Sequence, residues 1–199
     1  MNQDEIERVF LVKKLPEEIE KAKSIMIRVG DFFDSNRVDA LKLKQKGDDY
    51  FLVKKDNLNG CGCENHEQPS GNGMNGSALC RTEHVIYIKK GEFEALWKAT
   101  AQNHEKIRFL YPLDGRICEI DFYMGRLNGY VRAEVEFPSQ EEADRFIPPD
   151  WFSDEITKYN HEIHSELGLV LFREMKERYA EKGIKLKRIK LPKCLWRNS

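Results

Sequence analysis

The sequence predicts an antiparallel α+β fold in which a sheet closes, fully or nearly, into a barrel lined by charge and covered by short helices. Three observations predict it. Short segments alternate apolar and ionisable residues with the period of two that sends successive strand side chains to opposite faces. The ionisable faces carry both signs: Glu5, Glu7, Glu83, Glu119, Asp121, Glu134 and Glu136 against Lys42, Lys44, Lys55, Arg81, Lys106 and Arg108. Finally, 34% of the 199 residues are charged although the net charge is only −1, so either the surface is very charged or charged side chains also line an interior cavity. The alternation alone also fits an ordinary sandwich whose charged faces meet solvent.

Taken in order, Glu5 to Val12 (EIERVFLV) reads as a strand with Glu5, Glu7 and Val9 on one face and Ile6, Arg8 and Phe10 on the other. Pro16 opens a short helix with Glu17 and Glu18 in its first turn, where the helix dipole favours acids. Residues 25–29 (IMIRV) form the next strand. Leu41-Lys42-Leu43-Lys44 turns at Lys46-Gly47-Asp48-Asp49 and returns through Tyr50 to Lys55. That hairpin's charged face takes Lys42, Lys44 and Lys55, with Lys54 as the alternative to Lys55.

Residues 56–79 are rich in Gly, Asn and Ser without hydrophobic period, which predicts a long flexible loop. Cys61, Cys63, His66 and Cys80 offer zinc-ligand chemistry there. Their spacing matches no common zinc finger, so free thiols are the default. Arg81 to Ile88 is a strand, Phe93 to Trp97 a short helix, and Lys106 to Phe109 a strand pairing Lys106 with Arg108 on one face.

The central element is a hairpin, Glu119-Ile120-Asp121 returning as Ala133 to Phe137 through Asn128-Gly129, a dipeptide suited to the positive φ of tight hairpins. Glu119, Asp121, Glu134 and Glu136 share one face; Ile120, Phe122, Ala133, Val135 and Phe137 share the other. Four clustered carboxylates repel one another unless cations sit among them. Ser139-Gln140-Glu141-Glu142 fits a capping box opening a helix to about Phe146, which Pro148-Pro149 stops. Residues 162–182 have helical spacing, with Ile163, Leu167, Val170, Leu171 and Met175 on one side. The end is basic (Lys185, Lys187, Arg188, Lys190, Lys193, Arg197) and reads as a solvated tail.

Several classes are set aside by these features. No run approaches the about 20 apolar residues that span a bilayer. The acidic start carries no secretory leader pattern, and five cysteines without framework spacing suit a reducing compartment, so a cytoplasmic location is expected. A near-zero net charge gives no global pull toward nucleic acid. What six bases and seven acids in one cavity suit is a polyphosphate with divalent cations. Arg and Lys are donors for phosphate oxygens, and carboxylates hold the hard ions Mg²⁺ and Mn²⁺.

An ordered set of these motifs resembles the CYTH superfamily, the triphosphate tunnel metalloenzymes. Glu5-Ile6-Glu7-Arg8 is similar to the family's Glu-x-Glu-x-Lys first strand, and LKLKQKGDDYFLVKK to its paired basic residues and returning lysine strand. Arg81-x-Glu83, Lys106-x-Arg108, Glu119-x-Asp121, Ala133 to Phe137, Phe146 to Phe152 and Asp154-Glu155-Ile156-Thr157 follow in order, so that the likeness runs from Glu5 to Thr157 with 56–79 as an insertion. The resemblance implies an eight-stranded antiparallel tunnel over residues 1–160, with a C-terminal helix and basic tail over 161–199. It implies metal-dependent hydrolysis of a triphosphate, with an adenylate cyclase or a non-catalytic triphosphate binder as alternatives. A homodimer is compatible with it; no membrane or nucleic-acid partner is expected.

By the same resemblance, Glu5, Glu7, Glu134 and Glu136 would hold Mg²⁺ or Mn²⁺, and Glu83 and Asp121 would assist through metal or water. Lys42, Lys44, Lys55, Arg81, Lys106 and Arg108 would grip the phosphates. Two positions depart from the family pattern: Val9 replaces its lysine and Val85 its second strand acid. Their opposite lost charges lead to two expectations, that Val9 and Val85 face each other across the lumen in place of an ion pair or that the two positions drifted independently in a protein losing activity. His161 and His164 fall after the Thr157 element and read as exposed helix residues.

Overall fold

A computed structural model describes residues 6–32, 40–57, 81–160 and 167–191, the side chains of residues 40, 55–57 and 81–83 excepted. Glu5, the Cys61, Cys63, His66 and Cys80 group, His161, His164, Lys193 and Arg197 therefore lie outside the described residues.

Among the described residues nine strands build one antiparallel sheet: β1 (Ile6–Val12), β2 (Lys23–Asp31), β3 (Ala40–Lys46), β4 (Asp49–Asn57), β5 (Arg81–Tyr87), β6 (Gln102–Leu113), β7 (Arg116–Tyr123), β8 (Val131–Phe137) and β9 (Phe152–Glu155). Their order is β5-β4-β3-β2-β6-β7-β8-β1-β9. Eight strands were expected. The additional one, β9, is four residues long and pairs with β1 through Phe10–Glu155 and Val12–Phe152, too short for alternation to reveal it. Among the described residues three α-helices accompany the sheet: α1 (Lys90–Trp97), α2 (Gln140–Arg145) and α3 (Phe172–Glu181).

Turn chemistry sets the register of the central strands. Asp114 (φ 48°) and Gly115 (φ 77°) join β6 to β7, both central residues having the positive φ of a type I′ hairpin, which Asp-Gly accommodates at small cost. The Asn128-Gly129 dipeptide does something else. Residues 124–130 include a short 3₁₀ turn, Gly125–Leu127, and only Gly129 takes positive φ (96°), while Asn128 sits at φ −50°, ψ 121°. With Tyr130 N–H donating to Leu127 O (2.8 Å), this is a type II turn inside a longer connection. The two strands pair as the expected hairpin, in a register that sets Glu119 opposite Glu134 and Ile120 opposite Ala133.

The apolar face of this sheet forms one core. Phe10, Ile120, Phe122, Ala133, Val135 and Phe137 pack with Phe146, Trp151 and Phe152, beneath α2. Each such large side chain contributes about 1.5–3 kcal/mol of burial. Ser139 Oγ accepts the Glu142 N–H at 3.2 Å, the cap expected from the sequence, and α2 ends at Arg145. Arg8 ties three elements together. Its guanidinium donates to both Glu155 oxygens (3.0 and 2.6 Å) and to the carbonyls of Ala143 and Phe146 (2.8 and 3.1 Å). At the other end of the sheet, Arg28 lies over the rings of Phe93 and Trp97 (5.0 and 4.2 Å) and clamps α1 to β2.

Two helical expectations need correction. The Pro16 segment yields only a three-residue 3₁₀ turn, Ile19–Lys21, with Glu18 in the left-handed region before it. Residues 161–166 lie outside the described residues; within the described part of 162–182 the C-terminal helix is shorter than expected, since 167–171 are turn and irregular backbone and the helix runs from Phe172 to Glu181. Leu171 precedes its first turn at φ −90°, ψ 159°, and the buried helical face is Phe172, Met175 and Tyr179. This helix builds a second core on the polar side of the sheet. There Val9, Leu11, Tyr123 and Tyr130 pack with Leu167, Val170, Met175 and Tyr179, and the Tyr130 and Tyr179 hydroxyls are hydrogen-bonded at 2.8 Å. Among the described residues no helix is long and apolar enough to cross a membrane.

Candidate functional site

The strand register assembles one polar face. Val29 stands opposite Lys44 and His104, and Asp31 opposite Lys42 and Gln102. Lys106 pairs with Tyr123, Arg108 with Asp121, and Asp121 in turn with Arg132. Glu134 is opposite both Glu119 and Val9, and Glu136 is opposite Glu7. Lys55 pairs with Ala40 and Glu83, and Asn57 with Arg81. Lys55, Arg81 and Glu83 thus fall at register positions of the same parity as Lys42, while Lys54, opposite Leu41, has the other parity. The side chains of Lys55, Arg81 and Glu83, and the whole of Glu5, lie outside the described residues.

Six of the side chains form an ion network at the centre of this face. Arg108 is its hub: Nε donates to Asp121 Oδ1 (2.6 Å), Nη2 to Asp121 Oδ2 and to Glu134 Oε2 (2.7 Å each), and Nη1 to Glu119. Lys106 donates to Asp121. Arg132 Nη2 lies 2.5 Å from Glu134 Oε1 and its Nη1 donates to Asn160 Oδ1 at 2.8 Å. Three cations and three carboxylates therefore alternate without a net excess. Lys42 stands apart, 3.0 Å from Asp31. Glu7 receives an Asn160 amide N–H at 3.4 Å, and Glu136 is exposed at the rim.

Burial sets the electrostatics. Asp121 is 0% exposed, which alone would raise its pKa; Lys106, Arg108 and Arg132 instead hold it well below the usual carboxylate range. Burial, with Arg108 and Arg132 nearby, lowers the Lys106 ammonium to about 8 although Asp121 opposes the shift. His104 is lowered to about 3 by burial and by Lys106, Lys42 and Arg132, so its imidazole is neutral. Its Nδ1 and the Tyr123 hydroxyl are buried with no hydrogen-bond partner among the described residues.

The expected Val9–Val85 contact is not found. Val9 is 0% exposed inside the second core, whereas Val85 is 46% exposed and belongs to neither core. Apolar packing between the two would bury both. Val9 is instead fixed by its backbone, its N–H donating to Thr157 Oγ1 (3.0 Å) and its carbonyl accepting from Ile156 (2.7 Å). Its side chain lies in one apolar cluster with Leu167, Val170 and Met175 of the C-terminal segment, where a charge would have been buried.

For a divalent metal, the donor set is chemically apt: Glu7, Glu119, Glu134 and Glu136 present hard carboxylate oxygens as like-charged opposite pairs, which repel unless a cation intervenes. Among the described residues, no three His, Cys, Asp or Glu are gathered closely enough to hold an ion, and between Glu119 and Glu134 the intervening cation is Arg108. Sequence reasoning missed Arg132, His104, Tyr123 and Asn160. The first three were available by counting outward in twos from Glu134, Lys106 and Asp121; Asn160 carries no such signal, because it follows a 3₁₀ turn, Thr157–Tyr159.

No family profile matches the chain. It is 33% identical over 167 residues to an inorganic triphosphatase of Nitrosomonas europaea, covering 83% of this chain and 97% of that protein. A second inorganic triphosphatase, from Acetivibrio thermocellus, is 25% identical over 181 residues, 87% of this chain and 98% of the other. The crystal structure of the inorganic triphosphatase NE1496 superposes with a TM-score of 0.62 at 30% identity, covering 84% of this chain and 95% of that one.

Proposed function

The chain belongs to the CYTH superfamily, the triphosphate tunnel metalloenzymes, and from that premise we propose that it is a metal-dependent inorganic triphosphatase. The observation that carries the reading is the balanced network of Lys106, Arg108 and Arg132 with Glu119, Asp121 and Glu134. A triphosphate alone would draw the cations away and strand the carboxylates, at a cost of several kcal/mol. Divalent cations entering with it would neutralise them. The two ligands therefore suit the site together and neither suits it alone.

In this reading the sheet closes into a tunnel and the polar face is its wall. Lys42, Lys44, Lys106 and Arg108, with Lys55 and Arg81, bind the phosphate chain, Arg108 offering a planar fork and the lysines point charges. Arg132 joins them. Glu7, Glu134 and Glu136, with Glu5, would hold Mg²⁺ or Mn²⁺, which when bound supplies charge neutralisation and acidifies coordinated water. Asp121 holds Lys106 and Arg108 in position, and Glu83 assists the attacking water. The second core keeps bulk water from the end of the site beneath α3. Residues 1–160 form the catalytic domain in this reading and 161–199 its cap.

The test is orthophosphate release from tripolyphosphate with Mg²⁺ or Mn²⁺. Glu134→Gln and Glu136→Gln should each lower kcat/KM by about 100-fold or more, with circular dichroism unchanged. Wild-type rates in both variants would refute the carboxylate assignment. Cyclic AMP formed from ATP, or tight binding of tripolyphosphate without any product, would refute hydrolysis.

A further inference from the structure

The end of the polar face beneath α3 holds two groups that the ion network does not use. Tyr123 is almost wholly buried, its ring tilted against that of Tyr130 (centroids 4.9 Å) and flanked by Lys106 Nζ and Arg132 Cζ at 5.6 and 5.8 Å from its ring centroid. His104, on the adjacent strand, has its ring 5.7 Å from that of Tyr123. The Tyr123 hydroxyl and His104 Nδ1 are both buried and lack a partner among the described residues. A buried polar atom without a partner costs free energy, and two on neighbouring rings, with Lys106, Arg132 and Lys42 around them, call for a shared explanation. Tyr123 itself belongs to the second core, with Leu167, Val170 and Met175.

We propose that His104 and Tyr123 form a neutral end-stop for the substrate, donating hydrogen bonds to the oxygens of one terminal phosphoryl group where the polar face meets the apolar cap. The proposal rests on the triphosphatase reading and specifies how the chain end is recognised. Charged groups grip the chain along its length; a terminal phosphoryl group has three non-bridging oxygens, more than Lys106 and Arg132 need absorb. The tyrosine O–H donates to one of them. The imidazole donates another bond as its Nδ1–H tautomer, which burial and the cations Lys106, Lys42 and Arg132 keep neutral even in mildly acidic solution. Asp121 is the carboxylate that opposes this. Because Tyr123 is packed into the core of Leu167, Val170 and Met175, the phosphoryl group docked there must be unsubstituted.

Calorimetric titration of the full chain with tripolyphosphate and Mg²⁺ tests this, using Tyr123→Phe, His104→Asn and His104→Leu beside wild type. Tyr123→Phe keeps the ring and should weaken binding about tenfold, the loss expected for one hydrogen bond to a charged acceptor. Its ligand-free melting temperature should stay level or rise, since an unpartnered hydroxyl has left the interior. His104→Leu should weaken binding similarly, and His104→Asn, whose amide nitrogen can stand where Nδ1 does, should recover most of it. If wild type binds and Tyr123→Phe and His104→Leu bind within about twofold of it, the two atoms are satisfied by water and the end-stop is wrong while the triphosphatase reading stands. If His104→Leu does not fold, the Tyr123→Phe result decides. If wild type itself fails to bind tripolyphosphate, both readings fall.

Discussion

Arg108 is the residue on which the site's charge balance turns. Its guanidinium touches Glu119, Asp121 and Glu134 at once. Replacing it by Met would leave three carboxylates with only Lys106 and Arg132 among them, and breaking a buried pair costs about 3 kcal/mol or more. Urea denaturation of Arg108→Met in metal-free buffer should show that loss. Millimolar Mg²⁺ should then stabilise the variant more than it stabilises wild type, because a divalent ion can take over the vacated role. Equal stabilisation of the two would mean that these carboxylates do not hold metal. At this scale most of the site was legible. Lys42, Lys44, Lys106, Arg108, Glu119, Asp121, Glu134 and Glu136 all come onto one face because strand alternation is strict. Arg132, two places before Glu134, lies on the same face but outside the Ala133 to Phe137 run, because β8 starts at Val131. Which partner each charge takes was not legible, since Arg108 reaches across two neighbouring strands.

Among the elements, strands that alternate were legible and the C-terminal segment was not. Leu167, Val170 and Leu171 have helical spacing with Met175, yet the helix begins only at Phe172. The reason lies in a distant contact. A Cβ on Gly168 would stand 2.5 Å from Asn103 N and 2.8 Å from Asn103 O, so this stretch presses on the start of β6, while Arg126 Nη1 donates to the Gly168 carbonyl at 2.9 Å. Nothing in local spacing announces a backbone seated on another backbone. Gly168→Ala should therefore force the 167–171 stretch off β6. Overpacking of this kind costs about 1–3 kcal/mol, readable as a lower melting temperature. An unchanged melting temperature would show that the segment has room to spare. The same logic explains Val9: its apolar side chain looked like a lost charge, and is a contact with the cap that Gly168 helps to seat.

The whole molecule joins two sides of one sheet, an apolar face packed under α2 and a charged face sealed at one end by α3, and its pH dependence follows from what that sealing buries. His104 is lowered to about 3 from 6.5, so between those values the unfolded chain binds a proton that the folded one refuses, and stability falls as pH falls through this window. Asp121 is depressed too and adds to the loss in acid, since its carboxylate protonates first in the unfolded chain. Lys106 acts at the other limb. Its folded value of about 8 lies below the ordinary 10.5, so from pH 8 to 10.5 the folded protein has shed a proton that the unfolded chain retains, and stability rises with pH. Triphosphate affinity should move the opposite way across the same interval, because a neutral amine no longer attracts phosphate. Urea titrations and calorimetry with tripolyphosphate at intervals between pH 7 and 10 should thus diverge, stability climbing while affinity drops. Lys106→Gln should flatten both curves, and parallel trends in wild type would mean that Lys106 keeps its proton throughout.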